Sequence, residues 1–210
     1  MIFRLTKQLL FPDPELAEPD GLLAVGGDLS SERLMLAYKN GIFPWYSDET
    51  PILWYSPHER FVLYPDELQV SRSMKRVLNS NRFRVTSNQY FDGVIEACSA
   101  IERKEQDGTW ITNDMKEAYK QLHREGQAHS VEVWLGEELV GGIYGVQIDE
   151  VFCGESMFSK VSNASKTALI TLCKSGVYKL IDCQVHTDHL ESMGARMVSR
   201  KEYMRMLQNS

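Results

Sequence analysis

Ser130-Val131-Glu132-Val133-Trp134, Leu139-Val140-Gly141-Gly142-Ile143-Tyr144-Gly145-Val146 and Val151-Phe152-Cys153-Gly154-Glu155-Ser156-Met157-Phe158 follow one another, with Glu137-Glu138 and Asp149-Glu150 between them. The first run alternates apolar and polar residues. All three are rich in β-branched and aromatic side chains, and an acidic pair marks each turn. The pattern predicts a three-stranded antiparallel meander. Downstream, Asn163 to Cys173 reads as a helix ended by Gly176, and Lys179 to Val185 reads as a strand. Ser199 with Glu202 makes a capping box ahead of Tyr203, Met206 and Leu207. Meander, helix, strand, helix is an α+β arrangement.

Upstream, Phe61-Val62-Leu63-Tyr64 and Phe83-Arg84-Val85-Thr86 read as strands. A basic helix starts at Ser71 or Ser73. Asn88 is the expected cap of a helix carrying Phe91, Val94, Ile95 and Cys98, and Thr112 or Asn113 caps the next. The first sixty residues differ in texture, holding six of the seven prolines. There, a short buried run at Gly21 to Gly27 precedes a helix capped by Ser30 or Ser31 and closed at Gly41. This shift divides the chain into a small N-terminal domain, 1–60, and a larger domain, 61–210.

The 210 residues, 43% hydrophobic and 25% charged, describe an ordinary soluble globule. No run is long and apolar enough for a membrane span, and no secretory leader is legible. Four cysteines without CxxC spacing point to buried thiols in a reducing cytoplasm. A net charge of −6 excludes an evenly basic nucleic-acid binder. Yet residues 60–84 carry six basic side chains against two acidic ones. Arg72, Lys75 and Arg76 on the predicted helix are the footprint of a protein that meets a phosphate backbone on one side. Trp45, Trp54 and Trp110 fall outside regular periodicity, and each reads either as core or as a stacking plate for an unpaired base.

Polar residues inside apolar strands carry the chemistry. Strict alternation puts Cys153, Glu155 and Met157 on one face, where a carboxylate needs a donor or cation. Asp182 and Gln184 share one face of a strand whose other face holds Ile181, Cys183 and Val185. Two polar groups so placed converge on one point, as a pair orienting a substrate amine would; a polar sheet edge fits equally well. Gly141-Gly142 marks either a bulge or a cleft floor. His186 and His189 near Asp182 and Asp188 offer metal-ligand chemistry, but no HExxH or paired-cysteine spacing supports it, and no metal is expected. Ser156 lacks the second glycine of G-x-S-x-G. Without a covalent nucleophile, direct transfer between two bound substrates remains.

Six blocks in order then carry a resemblance: Gly21 to Leu29, Gly41-Ile42-Phe43-Pro44-Trp45-Tyr46, Ile52 to Pro57, Gly108-Thr109-Trp110-Ile111-Thr112, Cys153 to Ser159, and Leu180-Ile181-Asp182-Cys183-Gln184. Together they resemble the bacterial leucyl/phenylalanyl-tRNA–protein transferases, over about residues 10 to 207. The resemblance implies an α+β fold, with a small N-terminal α/β domain joined to an acetyltransferase-like domain around a mostly antiparallel sheet. It implies transfer of leucine or phenylalanine, and also methionine, from aminoacyl-tRNA to the α-amine of proteins beginning with arginine or lysine. The product is marked for degradation through the N-end rule. By the same resemblance, Trp45 and Trp110 hold the terminal adenosine. Ile143, Cys153, Glu155 and Met157 line the side-chain pocket, and Asp182 and Gln184 are the catalytic pair. No cofactor is implied, since the ester is already activated. A cytoplasmic monomer is expected.

Two other classes stay in view. A thioester-dependent small-molecule N-acyltransferase predicts a glycine-rich phosphate loop where Lys160-Val161-Ser162-Asn163-Ala164-Ser165 stands. A non-catalytic RNA-binding module leaves Glu155, Asp182 and Gln184 without purpose.

Overall fold

The computed structural model describes residues 2–101 and 111–208. In chain order the elements are β1 (Phe3–Leu5), β2 (Leu22–Gly26), α1 (Ser31–Lys39), β3 (Phe43–Pro44), β4 (Leu53–Tyr55), β5 (Glu59–Leu63), α2 (Arg72–Asn79), β6 (Arg84–Ser87), α3 (Phe91–Ser99), α4 (Asn113–Arg124), β7 (Ala128–Leu135), β8 (Glu138–Ile148), β9 (Val151–Ser159), α5 (Ala164–Cys173), β10 (Leu180–Gln184), α6 (Asp188–Glu191), β11 (Arg196–Ser199) and α7 (Arg200–Gln208). They form two sheets. A four-stranded sheet runs β1-β2-β4-β3, and a seven-stranded sheet runs β11-β5-β10-β9-β8-β7-β6.

The predicted meander is the centre of the larger sheet, with β7, β8 and β9 antiparallel. Strand β10 returns parallel to β9 after the α5 crossover. Every other pairing in that sheet is antiparallel. This is an α+β architecture built on a mostly antiparallel central sheet. One apolar cluster joins the N-terminal sheet, α1, α3, α4 and one face of the large sheet, including Leu23, Trp54, Tyr119, Tyr144 and Phe158. A second lies under α2 and α5 on the opposite face, including Met74, Ile143, Phe152 and Leu169.

Several local readings hold. Ser71 caps α2 and Thr112 caps α4, each accepting from a backbone N–H. Ser199 accepts from the Glu202 N–H at the start of α7. Cys98, Cys153 and Cys173 are buried free thiols. Gly41 takes the left-handed conformation just past α1, at φ +68, and a Cβ there would lie 2.7 Å from the Met204 sulfur.

Others are corrected. Asn88 does not cap α3; its Oδ1 accepts from the Ser130 N–H, and Tyr90 is the cap residue. Gly141 and Gly142 are not a cleft floor, but the bulge reading holds: Val133 pairs with Gly141 while Trp134 pairs with Leu139, leaving Val140 as the extra residue beside the glycines. A Cβ on Gly141 would meet the Ala164 Cβ at 2.5 Å, so α5 rides against bare backbone. A second bulge lies between β8 and β9, where Tyr144 pairs with Ser156 but Gly145 pairs with Gly154. Glu155 is the extra residue. Beyond it every side chain changes face, so Cys153 and Met157 lie on opposite faces of the sheet rather than on one.

Candidate active site

A cavity of about 380 Å³ opens where the Glu155 bulge of β9 lies beside the end of β10. This falls in the usual range for small-molecule pockets. Phe43, Pro44 and Trp45 of the N-terminal sheet form one wall. Ile143 and Met157, directly paired across β8 and β9, make an apolar wall with Leu169, Ile181 and Leu190. The polar edge is Glu155 and Gln184.

Glu155 is buried, and three donors converge on it. Tyr38 Oη lies 2.7 Å from Oε1, Tyr119 Oη 3.0 Å from Oε2, and Gln184 Nε2 2.7 Å from Oε1. The Tyr38 and Tyr119 hydroxyls also meet each other at 2.5 Å. Burial pushes the Glu155 carboxyl up to about 7, against the downward pull of its three donors. Burial and the facing carboxylate raise both tyrosines well above their ordinary value. Gln184 lines the cavity, and because it spends its Nε2 on Glu155, its Oε1 is left as an acceptor.

Gln184 reaches Glu155 through an unusual backbone. The β10 register shifts between Asp182 and Gln184, and Gln184 has φ +63. A non-glycine residue there is strained by about 1–2 kcal/mol. The Gln184 N–H compensates by donating to Asp182 Oδ1 at 2.9 Å. The two polar side chains therefore do not converge on one point, as the strand pattern implied. Gln184 turns to Glu155, while Asp182 turns the other way.

Asp182 is fully buried in an ion pair. Arg60 Nε lies 2.9 Å from Oδ1 and Nη2 2.9 Å from Oδ2, and the Tyr203 hydroxyl donates to Oδ2 at 2.9 Å. Arg60 is itself buried between the Phe43 and Tyr203 rings, its carbon 4.6 and 4.7 Å from their centroids, and donates to the Gly41 carbonyl. This pair ties α1, β5, β10 and α7 together at the foot of the cavity.

Trp45 is half-buried in the wall, tilted against Tyr55 at 5.9 Å. Trp110 lies outside the described residues. Trp54 is core, with its Nε1 donating to the Gly26 carbonyl. Cys153 is absent from the lining: it lies before the bulge, on the other face, with its thiol 3.8 Å from the Tyr203 hydroxyl. Arg72, Lys75 and Arg76 are exposed together on α2. The four-residue metal set does not assemble, since Asp182 is locked to Arg60 and His189 lines the cavity. His186, Asp188 and Glu191 do approach within 4.8 Å of one another, all exposed.

Sequence reasoning missed Tyr38, Tyr119, Arg60 and Tyr203. Both helix tyrosines occupy apolar positions of their helices and read as plain core. The one available signal was Arg60, a cation opening the apolar run Phe61-Val62-Leu63.

Comparison with known proteins follows the same outline. Residues 62–208 match the family described as leucyl/phenylalanyl-tRNA protein transferase, and residues 27–58 match its N-terminal domain. A leucyl/phenylalanyl-tRNA–protein transferase of Flavobacterium johnsoniae is 54% identical, over 99% of this chain and 100% of that one. One from Syntrophobacter fumaroxidans is 56% identical over 98% of this chain and 89% of its own length. One from Shigella dysenteriae is 55% identical over 95% and 86%. Among the described residues no helix is long and apolar enough to cross a membrane.

Proposed function

The chain belongs to the leucyl/phenylalanyl-tRNA–protein transferase family, and from that premise we propose that its cavity seats the aminoacyl end of a charged tRNA beside the α-amine of an acceptor protein. The enzyme transfers an amino acid from aminoacyl-tRNA to a protein. The donors are leucine, phenylalanine and methionine, whose side chains suit the Ile143, Met157 and Leu169 wall. Trp45 and Trp110 flank the terminal adenosine, and Arg72, Lys75 and Arg76 meet the tRNA backbone. Acceptors begin with arginine or lysine. The reaction belongs to the cytoplasm and marks its product for degradation.

One observation carries this reading: an apolar cavity edged by a single oriented amide. The amine nitrogen attacks the ester carbonyl, the C–N bond forms, and the ribose oxygen leaves. The ester is already activated, so catalysis reduces to alignment and exclusion of water. Gln184 Oε1 accepts from the attacking amine and orients its lone pair. Glu155, held by Tyr38 and Tyr119, keeps the amide from turning. Asp182 works at one remove, bracing the kinked end of β10 through the Gln184 N–H and Arg60. The thioester alternative lacks support, because the segment before α5 has no glycine to cradle a phosphate. Labelled leucine supplied as leucyl-tRNA should appear on an arginine-starting peptide and not on an acidic-starting one. Equal labelling of both, or none, would overturn the assignment.

A further inference from the structure

Amide formation releases one proton from the attacking amine and delivers one to the departing ribose oxygen. Four titratable side chains line the cavity among the described residues: Glu155, Asp182, Cys183 and His189. Three are spent. Glu155 already accepts from Tyr38, Tyr119 and Gln184. Both Asp182 oxygens are covered by Arg60, Tyr203 and the Gln184 N–H. Burial pushes the Cys183 thiol far above its ordinary value.

His189 differs from all of them. It is half-buried at the start of α6, and neither ring nitrogen has a hydrogen-bond partner among the described residues. Its backbone is held on both sides. Thr187 caps α6 by accepting from the Leu190 N–H at 3.3 Å, and the Leu190 side chain is buried in the cavity wall. Burial, helped by Lys166 on α5, holds the imidazole below its ordinary value, so it is neutral at neutral pH. The other charged groups near it are Glu155 and Asp182 in the same cavity lining and His186, Asp188 and Glu191 on its own segment. A neutral imidazole with a free lone pair is the proton acceptor best matched to neutral pH.

We propose that His189 is a catalytic residue of the transfer, taking the proton from the attacking α-amine as the C–N bond forms and returning it to the ribose oxygen as the C–O bond breaks. The enzyme ends the cycle with His189 neutral again. This rests on the transfer reading above and assigns its proton path. Single-turnover transfer from saturating leucyl-adenosine to an arginine-starting peptide tests it. In both His189→Ala and His189→Gln the rate should fall by roughly 10²-fold or more, with leucyl-adenosine affinity nearly unchanged. Added imidazole should restore rate to His189→Ala, and His186→Ala should behave as wild type. Wild-type rates in both His189 variants, or a slow His189→Ala unmoved by imidazole, would overturn the proposal while leaving the transferase reading intact. A wild-type protein that moves no leucine would instead remove the reading beneath it.

Discussion

Replacing Asp182 by asparagine keeps the shape of the side chain and one carbonyl acceptor but removes the charge that faces Arg60. The guanidinium stays about 2% exposed, with the Gly41 carbonyl and two aromatic faces as its remaining company. Breaking a buried pair by removing one partner costs about 3–5 kcal/mol. For a chain of this length each kcal/mol lowers the melting temperature by about 2–4 °C. Asp182→Asn should therefore melt roughly 6–20 °C below wild type. Arg60→Met should also destabilise, by orphaning the carboxylate. The double variant should cost less than the two singles added, because it leaves no unpaired buried charge. Calorimetry on the four proteins measures the cycle, and transfer is assayed well below every midpoint. There the Asp182→Asn protein should still bind aminoacyl-adenosine but transfer slowly, because the kinked end of β10 loses its brace. A variant that melts with wild type yet no longer transfers would refute the reasoning. Asp182 would then act on the reacting amine itself rather than through Arg60 and Gln184.

Glu155 makes stability depend on pH. Its carboxyl titrates near 7 in the fold against an ordinary 4.5, so the native state favours the protonated form. The contribution is full below the ordinary value and is lost as pH rises through about 7, on the order of 3 kcal/mol. Glu155→Gln should flatten denaturant-measured stability across that window; an unchanged slope would show that the carboxyl titrates normally. Gly141→Ala should cost about 1–3 kcal/mol, since its Cβ would sit 2.5 Å from the Ala164 Cβ; a wild-type melting temperature would mean that α5 shifts freely. Replacing Arg72, Lys75 and Arg76 with alanine should weaken tRNA binding whatever the tRNA body and flatten the salt dependence by about two to three in log–log slope. A slope equal to wild type would place the phosphate contacts elsewhere.

Much of the architecture is local in origin and was therefore legible. The meander declared itself through alternation and acidic turns, because strand faces have a period of two and turns need polar residues. Ser71, Thr112 and Ser199 announced helix starts through side chains that satisfy nearby N–H groups. The short elements β1, α6 and β11 escaped notice. Phe3–Leu5 and Arg196–Ser199 are strands through their pairing with β2 and β5, and three or four residues carry too little periodicity to predict. The ordered blocks of residues also carried the family, since a shared order of many short matches survives without any knowledge of geometry.

What the sequence by itself supplied, through the resemblance its ordered blocks carry, was an expected composition of the site: an apolar pocket with Glu155, Asp182 and Gln184 in it. What only the tertiary structure decided was where those groups point. One extra residue at Glu155 turns Met157 away from Cys153, and a left-handed Gln184 sends its amide to Glu155 while Asp182 goes to Arg60. Arg60, Tyr38, Tyr119 and Tyr203 come from four separate elements, and no spacing along the chain encodes their meeting. Alternation assumes an unbroken pleat. The bulge and the kink break it because buried carboxylates must find donors, and those donors lie far off in sequence.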